Sequence, residues 1–544
     1  MRVADAIGRT LGELGVSHVF GVVGSGNFHV TNALVGSGAT FVAARHESAA
    51  VSMADAYARI TRGIGVVTVH QGPGLTNAMT ALTEAAKART PLLVLAADTS
   101  AEAVRSNFRI GQGPMVAAVG AVAERVYTPD SAAHDLARAW HTATAQRRTV
   151  VLNLPLDVQA AVIDHFDLTL PESLAAPAPA TAAIAAVADL IARSERPVIV
   201  GGRGAVLADA RAPLEDLGDR IGALLATSAN GHGLFAGSEW NVGISGGFAT
   251  PIALKLLPQA DLILGFGASL NMWTTRHGAL VGANARIVQI DSDGDAIGAH
   301  RPVDVGVVAD AAEAARAIAA ELVQRSHGSL GFRDDPTRTA IGSGSWREET
   351  FDDASNGEFI DPRTASIALD ELLPEQRTVA LDSGHFMGWP PMYLRVPDPA
   401  GFVFAQAFQS IGLGLGSAIG AAVARPDRLT VACLGDGGAL MAAGEFETAV
   451  RLGLEMLIVI YNDAAYGAEV HHFKGEPHDI VRFPDTDFAA FARGLGAQGA
   501  TVRSTGDLKA LEDWLGDPRG PFVADLKVVP TVVAEWLEEA FRSH

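Results

Sequence analysis

The chain has 544 residues, 48% hydrophobic and 19% charged, and its 41 Lys and Arg against 61 Asp and Glu leave a formal net charge of −20. These proportions describe a packed protein of about two to four domains and exclude a disordered chain; the acidic balance, with no long basic run, argues against a nucleic-acid partner. Cys433 is the only cysteine, which excludes intramolecular disulfides and cysteine-rich zinc sites.

The opening stretch MRVADAIGRTLGELG predicts a helix at the start of a folded domain, because it lacks the long apolar core of a signal segment. No apolar run reads as a clean membrane span, so no membrane partner and a cytoplasmic location are expected. Strands are predicted at VSHVFGVV, ATFVAARH, GVVTVHQGPG and PLLVLAAD, with helices through NFHVTNALVG, ESAAVSMADAYARI and LTNAMTALTEAAKAR between them. That alternation is the rhythm of βαβ units with buried parallel strands. It predicts a first domain over 1–170, followed by an Ala- and Pro-rich linker, PESLAAPAPATAAI.

RPVIVGGRGAV, ADLILGFGASL and ARIVQIDSD give a second α/β domain over 184–325. Its glycines do not have the spacing of a dinucleotide fingerprint and read as structural turns. GSLGFRDDPTRTAIGSGSWREET reads as a long connection. A third domain over 355–544 has strands at TVALDSG, TVACLGDGG, EMLIVIYND and PFVADLKVV. The predicted fold is therefore three α/β domains with largely parallel sheets. The first and third share a rhythm, but no repeat in the sequence proves duplication.

In CLGDGGALMAAGEFETAV, Asp436 follows a strand and lies among glycines. Open parallel sheets bind ligands beyond the carboxyl ends of their strands. A carboxylate there suits a hard divalent cation, while Gly437 and Gly438 allow close backbone approach and the next helix directs amides at phosphate. Asn462 ends a second such strand and offers a neutral oxygen, and a backbone carbonyl from Ala464 would add another.

This pattern resembles the thiamine-diphosphate signature: GDG, a helix, a strand, then an asparagine. The usual closing pair is NN, where this chain has Tyr461-Asn462; Asn462 is assigned to the metal. NDAAYG carries what reads as one inserted residue, so the carbonyl ligand is Ala464 or Ala465, with Ala464 preferred. AARHESAAVSMADAYARITRG resembles the segment with the activating glutamate, here Glu47, and VHQGPGLTNAMTAL resembles the block that follows. The likeness extends over nearly the whole chain.

The resemblance implies thiamine diphosphate and Mg2+ as cofactors, with FAD left open. It implies that Glu47 hydrogen-bonds the aminopyrimidine ring, that Ile411 props the cofactor in its bent form, and that Gly384 and His385 approach the diphosphate. Ser25, in GVVGSGNFHV, and His70, in VHQGPG, are laid out as in benzoylformate decarboxylase, with His277, in TTRHG, as its second histidine. Histidines suit proton movement during decarboxylation. His471 and His472 are rival proton carriers. The expected activity is nonoxidative decarboxylation of a small 2-oxo acid through an enamine, of the benzoylformate-decarboxylase kind.

The alternative is an acetolactate-synthase-like carboligase. SNFRIGQ resembles part of that family at Phe108, but Arg109 and Ile110 depart from it. A noncatalytic regulatory or assembly subunit is a third possibility, against which Glu47, Asp436 and Asn462 argue. By the same resemblance, a homodimer or homotetramer is expected, with active sites shared between subunits.

Overall fold

The structure, a computed structural model, describes residues 1–170 and 175–540. Positions 171–174 of the predicted linker and 541–544 of the predicted third domain lie outside the described residues.

Three six-stranded sheets organise the chain. The first holds β1 (His18–Gly21), β2 (Thr40–Ala43), β3 (Gly65–Val69), β4 (Leu92–Asp98), β5 (Val122–Arg125) and β6 (Thr149–Pro155), in the order β2-β1-β3-β4-β6-β5. The second holds β7 (Pro197–Gly201), β8 (Leu224–Thr227), β9 (Asn241–Ile244), β10 (Leu262–Phe266), β11 (Arg286–Asp291) and β12 (Val305–Val308), in the order β12-β11-β10-β7-β8-β9. The third holds β13 (Arg377–Leu381), β14 (Phe402–Phe404), β15 (Leu429–Gly435), β16 (Met456–Asn462), β17 (Gln498–Val502) and β18 (Phe522–Lys527), in the order β14-β13-β15-β16-β18-β17. Every pairing within these sheets is parallel. The central strands β3, β4, β6, β10, β13, β16 and β18 are buried along their full length, as sheets covered by helices on both faces require. The three-domain α/β expectation is met.

The first and third sheets have the same strand order, so the shared rhythm of the two regions reflects a shared topology. In each, the chain runs outward from the first strand and then returns on its other side. This leaves a crevice between β1 and β3, and another between β13 and β15, where ligands bind in such folds. The central sheet, read from its other end, has the 3-2-1-4-5-6 order of doubly wound nucleotide-binding domains.

The long connection after the central domain is more ordered than its sequence suggests. A helix runs over Asp335–Gly342, with Asp334 accepting from the Thr337 amide and Pro336 in the first turn, the acceptor and the imino acid that a helix start favours.

Two helices tie the first domain to the third. Helix α1 (Glu47–Thr61) crosses α2 (Gly414–Ala424) closely: a Cβ on Gly420 would sit 2.0 Å from the Met53 carbonyl oxygen, so only glycine fits. One apolar core runs continuously from Val51, Met53 and Leu75 to Leu415, Ile419 and Phe446.

Candidate active site

The predicted residues fall into two groups. In the first domain, Ser25 lies exposed in the turn after β1, His70 directly follows β3, and Glu47 opens α1 with only 9% exposure. All three gather at the β1/β3 crevice. The Gly26 amide donates to His70 Nδ1 (3.2 Å), which leaves Nε2 to carry the proton of a neutral ring. The Phe108 ring meets His70 edge-on at 5.0 Å. Burial lowers the His70 pKa, with the charge of Glu47 working against it. Glu47 Oε2 accepts from Asn77 Nδ2 at 3.0 Å, a contact that the GPGLTN stretch carried without its being singled out.

The second group surrounds a cavity of about 1740 Å³ that runs from the third domain into the central one. Gly384, His385, Ile411, Asp436, Gly437 and Gly438 line it, and so does His277 of the central domain. Its lining includes none of Glu47, Ser25 or His70. His277 is therefore not brought to Ser25 and His70 within one chain. It sits at a left-handed φ of 53°, beside Trp273.

Asp436 begins a short helix, α3 (Asp436–Met441), directly after β15, and is 6% exposed. It shares a hydrogen bond with Asp463. Burial holds both carboxyls above the usual carboxylate range, and the charge of Asp463 adds to the rise at Asp436.

The cavity that Asp436 lines does not take in Asn462 or Ala464, its expected partners. Asn462 is buried on the other side of the strand end, where Nδ2 donates to Asp525 Oδ1 (3.0 Å) and to the Thr486 carbonyl (3.1 Å). Its Oδ1 accepts from the Ala464 amide at 3.2 Å. Ala464 has a left-handed φ of 55°, and its carbonyl accepts from the Phe483 amide at 2.8 Å. Asp463 and Ala465, not Asn462 and Ala464, line the cavity. The reason is the pleat: successive residues of a strand face opposite ways, so moving one position along reverses the side chain. The signal for Asp463 was present in the sequence as a second oxygen donor directly after Asn462 at the strand end.

Asp382, at the end of β13, supports this group. It is 1% exposed, and both its carboxylate oxygens accept from the Gly412 amide at 3.0 Å, fixing the backbone next to Ile411. Burial pushes its pKa up to about 6, against the pull of the neighbouring amides. His385 Nε2 accepts from the Ala534 amide at 2.9 Å and its ring lies 4.3 Å from that of His471. Burial, followed by the charge of His471, pushes His385 down to about 3. His471 and His472 close the short helix Gly467–His472, half-buried.

Three models of the thiamine pyrophosphate enzyme family match in succession: the N-terminal TPP-binding domain over 1–118, the central domain over 184–318 and the C-terminal TPP-binding domain over 382–526. The chain belongs to the thiamine pyrophosphate enzyme superfamily. Among the relatives of this thiamine pyrophosphate enzyme is a sulfoacetaldehyde acetyltransferase of Castellaniella defragrans, 28% identical over 95% of this chain and 92% of the relative. A probable 2-ketoarginine decarboxylase of Pseudomonas aeruginosa is 28% identical over 94% and 91%, and a probable acetolactate synthase large subunit of Methanocaldococcus jannaschii 25% over 97% and 92%. These relatives favour the carboligase alternative over the benzoylformate-decarboxylase-like expectation.

The residues of this thiamine pyrophosphate enzyme suit a metal–diphosphate group. Two facing, buried carboxylates beside peptide groups form a hard oxygen donor set. Among the described residues, no group of three or more His, Cys, Asp or Glu makes a metal site from side chains alone. A cation here would take its remaining oxygens from a carbonyl, water or phosphate. A Cβ on Gly438 would lie 2.1 Å from Asp382 Oδ2, so the turn after Asp436 has no room for a side chain.

Proposed function

We propose that this enzyme is a thiamine-diphosphate- and Mg2+-dependent carboligase of the acetolactate-synthase type, which passes the acyl unit of one 2-oxo acid to a second carbonyl acceptor. When bound, the cofactor supplies the nucleophile that attacks the 2-oxo acid carbonyl. Asp436, Asp463 and the Ala465 carbonyl hold the metal, and Gly384, His385, Gly437 and Gly438 hold the diphosphate. Ile411 supports the bent cofactor. Glu47 exchanges a proton with the aminopyrimidine ring; His70 and Ser25 orient the substrate carboxylate and move protons near it. His277 faces the acceptor end.

The separation of the Glu47 group from the cavity of its own chain supports a site completed by a second copy, hence a homodimer or a homotetramer. The observation that carries the carboligase reading is the likeness, over nearly the whole chain, to a sulfoacetaldehyde acetyltransferase and to a probable acetolactate synthase large subunit; the cavity, about 1740 Å³, extends from the metal end to Met272 and His277. Its central-domain wall, at the carboxyl ends of β7 and β10, has the topology in which FAD or another nucleotide would lie.

The test is a product screen with purified protein, thiamine diphosphate and Mg2+. Pyruvate, benzoylformate and sulfoacetaldehyde are supplied singly and in pairs, and products are resolved by NMR. Acetolactate or another ligated product is expected. Free aldehyde from every 2-oxo acid, with no ligated or transferred acyl product, would overturn the carboligase reading in favour of simple decarboxylation. Release and spectroscopy of any bound chromophore settles FAD separately.

A further inference from the structure

We propose that Glu445 is a positioning residue for Glu47, holding from the third domain the turn that presents the Glu47 carboxylate. The proposal rests on the proton-exchange role assigned to Glu47 above.

Glu445 stands in the first turn of α4 (Gly444–Arg451), just beyond the short helix that begins at Asp436. It is 1% exposed. A carboxylate so buried is costly unless its oxygens find donors. Here Oε1 accepts from the backbone amides of Arg45 and His46, each at 3.0 Å, and Oε2 accepts from Thr448 Oγ1 at 2.8 Å. Arg45 and His46 are the two residues directly before Glu47, where the chain turns from β2 into α1.

Amides at this point have no partner within the helix they precede. One oxygen from another domain serves two of them. The same helix adds the Arg45–Glu447 pair (2.6 Å) and a hydrogen bond from Arg451 to the Ala43 carbonyl. Within the first domain, His46 Nδ1 accepts from the Ser48 amide at 3.1 Å, and Asn77 holds Glu47 Oε2. Glu47 is thus fixed twice: its carboxylate by Asn77, and its backbone by Glu445. Proton exchange over a hydrogen-bond distance tolerates little displacement, and misplacement by about 1 Å costs on the order of 100-fold.

The test uses the full-length holoenzyme with thiamine diphosphate and Mg2+, and three readouts. They are amide hydrogen exchange at residues 45 and 46, hydrogen–deuterium exchange at the thiazolium C2 of the bound cofactor without substrate, and the cofactor Kd. Glu445→Ala is expected to speed amide exchange at 45 and 46 at least about 10-fold and to slow C2 exchange about 100-fold, with Kd within about 3-fold of wild type. Glu445→Gln keeps an acceptor oxygen and is expected to restore all three to within about 3-fold. If the alanine variant does not fold, Glu445→Asp, which withdraws the carboxylate by one methylene but keeps its charge and polarity, is expected to show the same pattern. C2 exchange at the wild-type rate in Glu445→Ala or Glu445→Asp overturns the proposal, and so does an equal loss in Glu445→Gln. Glu47→Gln is measured alongside: wild-type C2 exchange in that variant would strike down the role of Glu47 itself, whereas loss there with no change in the Glu445 variants strikes down only the positioning role.

Discussion

Exchanging the fates of two adjacent residues, Asn462 and Asp463, tests the metal end most directly. Asn462→Ala removes the hydrogen bonds its Nδ2 donates to Asp525, Thr486 and Asp485 and the one its Oδ1 accepts from Ala464, all at a buried residue. At about 0.5–1.5 kcal/mol for each bond, and with partners left unpaired, the loss is about 2–4 kcal/mol. In a domain of this size that lowers a calorimetric transition by roughly 5–15 °C. The cation should be indifferent: Mn2+ affinity, titrated by electron paramagnetic resonance with thiamine diphosphate present, is expected within about 3-fold of wild type once the variant is kept cold and folded. Asp463→Ala should do the reverse. Losing outer partners of a metal ligand costs about 10–100-fold in affinity, so losing a ligand should cost at least about 100-fold. The fold should hold or gain slightly, because two facing buried carboxyls no longer oppose each other. Metal binding lost in Asn462→Ala and kept in Asp463→Ala would refute the assignment.

Glu47→Gln is expected to lower turnover by about 100- to 10,000-fold with its thermal transition unchanged; turnover near wild type would reject its role in proton exchange. Gly438→Ala drives a methyl group against Asp382 Oδ2 and through it against the backbone at Gly412, so cofactor affinity read by fluorescence should fall at least about 10-fold. Asp370, fully buried, is shared by Arg347, Arg377 and Arg395, and Asp370→Ala should cost about 3–5 kcal/mol in denaturant unfolding by leaving the Arg377 charge buried without it. Burial holds His232 at about 4 and His385 at about 3, below the 6.5 of an exposed imidazole. The unfolded chain therefore binds more protons below pH 6.5. Each histidine contributes stability that is whole above that pH and falls by about 1.4 kcal/mol per unit as the pH drops toward its folded value. Thermal midpoints measured from pH 7 to 5 should fall less steeply in His232→Phe than in wild type.

The sequence by itself determined the architecture, and it pointed to Glu47 and Asp436 as candidates for the site. The strand cores VAL (379–381), VACL (431–434) and MLIVIY (456–461) are unbroken apolar runs without polar alternation, the pattern of a strand covered on both faces, so a parallel sheet follows from local composition. Asp436 was legible only in combination: GDG after a strand, then a helix, a second strand and an asparagine together resemble the thiamine-diphosphate signature. What the tertiary structure decided is which way side chains face and what meets across the chain. At the end of β16 one position of register separates Asp463 from Asn462, and the pleat turns that single step into opposite directions. His277 was a candidate second active-site histidine although its surroundings depart from the family's, and no local pattern says which domain wall it joins. Glu445 reaches the amides of Arg45 and His46 across about 400 positions of sequence, and such contacts arise only when whole domains pack.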